Sequence, residues 1–234
     1  FIAKTLQDSL LPDELPDIGG LDLAVRYWAA GSAAQVGGDF YDVFATADET
    51  WAAVIGDVCG TGPTAASLTA LARHTIRLAG WRGDDPQTVL HWLNRALLEA
   101  RRNSFLTAAY LRMRRAGEAF DLEIACAGHP LPILVKADGS VRMVGSPGSL
   151  LGVFEDLTTE TVAERLEPGD TLVLHTDGVT DVRPPNDLGR EELQALVVQC
   201  VEGADSAETV ADCMHTAVAE RLSIEQRGDD IALL

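Results

Sequence analysis

The stretch Val36-Gly37-Gly38-Asp39-Phe40-Tyr41-Asp42 opens a hairpin with arms over Asp39 to Phe44 and Trp51 to Asp57, the second closing in Gly56-Asp57-Val58-Cys59-Gly60. The polar turn Thr46-Ala47-Asp48-Glu49-Thr50 joins the arms, and each arm delivers a carboxylate beside glycine. Two later runs do the same: Leu172-Val173-Leu174-His175-Thr176-Asp177-Gly178, and Gly228-Asp229-Asp230-Ile231-Ala232-Leu233-Leu234. Asp39, Asp57, Asp177 and Asp229 thus stand next to apolar strands at wide spacing in the chain. Asp177-Gly178 alone reads equally as a turn, and Asp229-Asp230 alone as a solvated loop. The combination is what asks for a cation.

Outward from the hairpin, Phe1 to Leu11 has the apolar spacing of a short helix ended by Pro12. Leu21 to Ala29 alternates as a strand. Pro63 and Gly80 bracket an alanine-rich helix, Thr64 to Leu78, and a second helix spans Pro86 to Arg101. Leu106 to Met113, Phe120 to Ala127 and Leu131 to Val135 read as antiparallel strands, followed by Thr158 to Leu166 and Asp170 to His175. Helices over Arg190 to Val201 and Ser206 to Leu222 precede the closing strand, Ile231 to Leu234. Paired helices among antiparallel strands predict an α+β architecture. Residues 1–20 read as a connector and 21–234 as one domain.

Thirty-six acids against 18 bases give a net charge of −18 in 234 residues. A surface this acidic repels a phosphate backbone, which argues against nucleic acid. No run of about 18 apolar residues is present, so no membrane span is expected. Cys59, Cys126, Cys200 and Cys213 lack zinc spacing and sit in or beside apolar segments, which reads as small hydrophobes in a reducing cytoplasm. The start at Phe1, inside an apparent helix, is expected to be a cut from a longer protein.

Scattered aspartates suit Mg²⁺ or Mn²⁺, which take oxygen ligands. Without a cation, carboxylates sharing a pocket cannot all stay ionised. Glycine beside each acid lets backbone approach closely. Asp42 reads either as a supporting group or as a surface residue, and Arg26 either as a phosphate contact or as a surface arginine. His129 reads either as a proton donor to a leaving oxygen or, from its turn setting between Gly128 and Pro130, as a structural group, which is the expectation. His175, within a strand, is expected to be packed or hydrogen-bonded.

The hairpin motifs, with Gly60-Thr61-Gly62, Ala127-Gly128-His129-Pro130, Thr176-Asp177-Gly178 and Gly228-Asp229-Asp230-Ile231, resemble the series found in bacterial SpoIIE/RsbU-type serine/threonine phosphatases. These are a branch of the metal-dependent PPM (type 2C) phosphatases, and the resemblance covers residues 21–234. It implies an α-β-β-α sandwich of two antiparallel sheets flanked by helix pairs. It implies two Mn²⁺ or Mg²⁺ ions, bridged by Asp57 and held by Asp39, the Val58 carbonyl, Asp177 and Asp229. Gly38, Gly178 and Asp230 would support them. No side-chain nucleophile is implied; a metal-bridging water would attack phosphorus. Val58 departs from the eukaryotic relatives, which carry glycine there. The implied substrate is a phosphorylated anti-sigma-factor antagonist, with an upstream sensor domain and pairing of N-terminal helices in a homodimer. Two rival expectations are a catalytically silent module that relays a signal and a calcium-binding structural domain, which lacks its consecutive ligand loop.

Overall fold

The structure, a computed structural model, describes residues 10–28, 37–100, 104–180, 188–221 and 230–234. Its strands are β1 (Arg26–Trp28), β2 (Asp39–Ala45), β3 (Thr50–Val58), β4 (Leu106–Ala116), β5 (Ala119–Ala127), β6 (Ile133–Val135), β7 (Val141–Met143), β8 (Thr161–Leu166), β9 (Thr171–Val173) and β10 (Ile231–Leu233). Its helices are α1 (Pro63–Trp81), α2 (Pro86–Ala100), α3 (Arg190–Val201) and α4 (Ala207–Arg221). A 3₁₀ turn covers Asp177–Val179. The expected helix over residues 1–11 lies almost wholly outside the described residues.

The larger sheet is antiparallel in the order β2-β3-β4-β5-β8. The smaller strands form β7-β6-β9 and β1-β10. His175 bridges to Leu233, and reciprocal hydrogen bonds join Leu174 and Leu234 at 2.8 and 3.0 Å. The chain leaving β9 therefore zips onto β10, so the closing strand finds its place beside the segment that carries Asp177.

Alternation along the strands sorts side chains into three cores. Phe40 and Phe44 of β2 join Val54, Tyr110 and the helix residues Leu68, Ile76, Leu90 and Leu93. The opposite faces of β2–β5, with Val43, Ile55, Leu111 and Leu122, meet Leu134, Leu174 and Ala232 of the smaller strands. Ile133, Val173 and Ile231 on the far side of those strands pack with Leu193, Val197, Met214 and Val218 of α3 and α4. Each fully buried leucine or isoleucine here contributes about 1.5–3 kcal/mol relative to exposure.

Several sequence expectations need correction. The strand over Leu21–Ala29 narrows to Arg26–Trp28, because β10 offers only three residues to pair with it. Leu21 and Leu23 pack on the middle core without a ladder partner. Gly80 does not follow α1 but lies inside its last turn. A Cβ there would come within 2.9 Å of the Phe44 ring and 3.0 Å of the Tyr110 hydroxyl, so glycine serves close packing. β7 was not expected; three residues without an alternating window leave no period to read.

The cysteines are a further correction. Cys200 of α3 and Cys213 of α4 form a disulfide with Cα atoms 5.5 Å apart. The antiparallel helix hairpin brings together two residues that read separately as small hydrophobes. Cys126 is buried, with its thiol pushed up to about 12 by burial, while Cys59 is an exposed thiol. The cytoplasmic expectation loses the support it drew from cysteine usage. Among the described residues, no helix is long and apolar enough to cross a membrane.

Candidate metal centre

Register brings the first two acids together: Asp39 of β2 lies directly opposite Asp57 of β3, and Thr107 of β4 flanks Asp57 on the other side. Cross-strand partners project to the same face. Here that face also carries Val43 and Ile55, so the acids look toward the smaller strands. The Thr176 hydroxyl donates to Asp39 Oδ2 at 2.7 Å and accepts the Ala232 N–H at 2.9 Å. One threonine thus ties Asp39 to the segment leading into Asp177 and to β10. Asp39 is buried, whereas Asp57 and Asp177 are half-exposed.

Close backbone approach explains three glycines. A Cβ on Gly38 would fall 2.2 Å from the Val58 carbonyl oxygen and 2.6 Å from Asp57 Oδ1. One on Gly37 would sit 1.6 Å from Asp230 Oδ2, and one on Gly178 would sit 2.0 Å from the Asp230 carbonyl. Asp57 and the Val58 carbonyl therefore border Gly38, while Asp230 packs against Gly37 and Gly178. Asp177 lies between Thr176, bonded to Asp39, and Gly178, packed on Asp230.

Tyr27 of β1 belongs here too. Its phenol is held well above the usual range by burial, and then by the charges of Asp230, Asp39 and Asp57. It stays protonated and is a donor among acceptors. In sequence Tyr27 reads as one of an apolar stripe with Leu21, Leu23 and Val25, and no local signal separates it from them. Thr176 carries no signal of its own in the sequence; its contact with Asp39 gives it a role.

The donors gathered are all oxygens, which fits a hard divalent cation. The Gly38 cradle also fits, since it opens the Val58 carbonyl and Asp57 to a shared neighbour. Among the described residues, no three His, Cys, Asp or Glu side chains are grouped closely enough to enclose an ion as they stand. Asp229 lies outside the described residues, as do Val36 and Gly228. Gly38→Ala is expected to destabilise the fold by about 1–3 kcal/mol through overpacking and to weaken Mn²⁺ binding. Thermal melts with and without Mn²⁺ check this.

Two residues stand elsewhere. Asp42 shares the face of Phe40 and Phe44 and points toward α1, away from Asp39. It is fully buried and bonded by Arg73, with Arg77 contacting both its oxygens at 2.7 Å. A two-residue strand period carries it to the opposite side of the sheet, so it is neither a supporting group at the site nor a surface residue. Arg26 binds Glu208 at 2.5 Å and Asp212 at 2.9 Å on α4. Those acids take up its guanidinium, which is not aimed at the aspartates.

His129 and His175 lie buried beneath the acids. His129 Nδ1 bonds the Thr107 hydroxyl at 2.8 Å, and His175 Nδ1 donates to the Thr176 carbonyl at 3.0 Å. Burial, with the neighbouring His175 adding to it, pushes the His129 pKa down to about 3. The folded state keeps this ring neutral where the unfolded chain protonates it near pH 6.5. Stability is therefore full above about pH 6.5 and falls as pH drops toward 3, by up to about 1.4 kcal/mol per pH unit from this group. Denaturant midpoints at pH 7 and 4.5 should lie closer together in His129→Asn than in the parent.

Residues 47–234 match the family described as stage II sporulation protein E (SpoIIE). The chain is 28% identical over 238 residues to the phosphoserine phosphatase RsbU of Bacillus subtilis, covering 100% of this chain and 68% of RsbU. It is 27% identical over 263 residues to protein IcfG of Synechocystis sp., covering 99% of this chain but 40% of IcfG. Among solved structures, the SiaA-PP2C domain of Pseudomonas aeruginosa superposes with a TM-score of 0.78 at 22% identity, covering 99% of this chain and 91% of that one. That likeness speaks to the α+β fold alone. With a family match over most of its length, the chain belongs to the SpoIIE family of PP2C-type serine/threonine phosphatase domains.

Proposed function

We propose that this chain is a divalent-metal-dependent phosphatase that hydrolyses phosphoserine or phosphothreonine on a protein. The observation that carries the reading is the convergence of Asp39, Asp57 and Asp230, with the Val58 carbonyl, from segments far apart in sequence. The three cores support reading the fold as four layers, α1 and α2 over the larger sheet and α3 and α4 over the smaller strands. In that arrangement the aspartates sit at one end of the seam between the sheets.

Asp39, Asp57, the Val58 carbonyl, Asp177 and Asp229 would hold two Mn²⁺ or Mg²⁺ ions. When bound, such a pair supplies an acidified water and electrostatic stabilisation of the phosphoryl oxygens. The chain's own residues orient this apparatus. Thr176 sets the rotamer of Asp39, the hairpin register fixes Asp57 beside it, and Gly38 keeps the Val58 carbonyl accessible. Tyr27 contributes a neutral hydroxyl among the carboxylates. By family resemblance no side chain acts as nucleophile, and water cleaves the P–O bond, releasing the serine hydroxyl and inorganic phosphate.

By family resemblance the substrate is a phosphorylated anti-sigma-factor antagonist. An upstream sensor domain and a homodimer through the N-terminal helix are part of the same reading, and the extra length of IcfG and RsbU is consistent with further domains. The test is hydrolysis of a phosphoserine protein of that class with Mn²⁺, Mg²⁺ or chelator. Release of phosphate that rises with Mn²⁺ and stops on chelation is expected. Turnover indifferent to both would overturn the metal reading.

A further inference from the structure

At the end of the seam away from the aspartates lies a cavity of about 480 Å³, within the roughly 300–1,000 Å³ range of small-molecule sites. Its floor is apolar and comes from three sources: Ala53, Leu111 and Leu122 of the larger sheet, Leu174 and Leu233 of the smaller strands, and Met214 of α4. Its mouth is acidic. Asp22, Glu118, Glu167 and Asp205 line it and are exposed, and among the described residues no lysine or arginine lines it. Asp170 also lines it but is paired with Lys136, and Arg165 reaches Glu167. Asp22, Glu118 and Asp205 have no basic partner among the described residues. Asp22 instead accepts the Ala207 N–H at 2.6 Å, and Asp205 accepts from the Thr209 hydroxyl at 2.8 Å.

We propose that this cavity is a binding site for a small amphipathic cation, with its apolar body among the leucines and its amine at the acidic mouth. Removing apolar surface from water drives entry, and the one-signed rim selects the charge. An anion of the same shape would meet the carboxylates of Asp22, Glu118 and Asp205, which no ion pair neutralises among the described residues. The site is separate from the phosphatase centre yet shares its strands: Ala53 and Asp57 are on β3, Leu233 and Asp230 are on the closing segment, and Leu174 precedes Asp177.

The experiment is titration of the 234-residue chain with 2-(1-naphthyl)ethylamine and, in parallel, with 1-naphthylacetate, by calorimetry and naphthyl fluorescence at low salt. The two probes share a ring and differ in charge. The amine is expected to bind saturably at one site, at least about tenfold more tightly than the carboxylate, which is about 1.4 kcal/mol. That preference should shrink at high salt. Ala53→Leu, which fills the floor, should abolish binding. Glu118→Lys, at an exposed turn, keeps the test open if the first variant does not fold, and should narrow the preference between probes. Equal affinity for both probes, no saturable binding, or binding unchanged in both variants would overturn the proposal. Because binding is the readout, none of these outcomes depends on phosphatase activity.

Discussion

Asp57→Asn is expected to lower Mn²⁺-dependent hydrolysis of a phosphoserine protein by on the order of 10³-fold or more. The estimate follows from removing one carboxylate charge at the centre of the donor set, where metal stabilisation of the transition state is worth several kcal/mol and each 1.36 kcal/mol is about tenfold. Asp57 is the acid flanked on both sides within the sheet, by Asp39 and by Thr107. Its Oδ1 also borders the Gly38 cradle beside the Val58 carbonyl. Asparagine keeps the shape and removes the charge, so the fold should persist. Without metal the variant should be as stable as the parent or more so, because like charges around Tyr27 are relieved. Calorimetric Mn²⁺ titration, kcat/KM and metal-free melting together check this. Activity within a few-fold of the parent would sink the assignment of Asp57.

Asp42→Ala should cost stability rather than chemistry, by about 3 kcal/mol, near the lower end for breaking a buried ion pair. Asp42 has 1% of its side chain exposed, whereas Arg73 and Arg77 retain 15% and 31%, so water can partly re-solvate the arginines. The carboxylate anchors α1 to β2. Arg73 reaches back to the Leu10 carbonyl at 2.5 Å, and the Arg77 guanidinium lies over the Phe44 ring at 5.0 Å. Losing the acid leaves two cations against an apolar face that also holds Phe40 and Ile76. For a domain of ordinary stability, about 5–15 kcal/mol, this is a large fraction. A urea midpoint unchanged from the parent would show the cluster to be surface chemistry. Metal affinity measured on the folded fraction should stay near that of the parent.

Much of the fold was legible because periodic runs announce themselves. The hairpin arms, legible in the sequence as Asp39–Phe44 and Trp51–Asp57, span Asp39–Ala45 and Thr50–Val58. The four helices fall within a few residues of their expected bounds. Elements of three residues escaped or shrank, since β1 and β7 owe their existence to a neighbouring strand rather than to local pattern. At the site, acids beside glycine were legible as a set. Tyr27 and Thr176 were not, because a tyrosine in an apolar stripe and a threonine before an aspartate have many ordinary uses.

What the sequence determined alone was composition and period: which residues form strands and helices, and which acids stand beside glycine at strand ends. Tertiary structure decided the direction in which each acid faces. Asp39 and Asp42 lie three residues apart on one strand, yet one meets Asp57 and the other meets two arginines of α1. The sheet and the helix that distinguish them are assembled from segments far along the chain. Likewise Cys200 and Cys213 became a disulfide only because two helices fold back on each other. A local pattern specifies the alternation of faces, but what lies across each face is settled by packing.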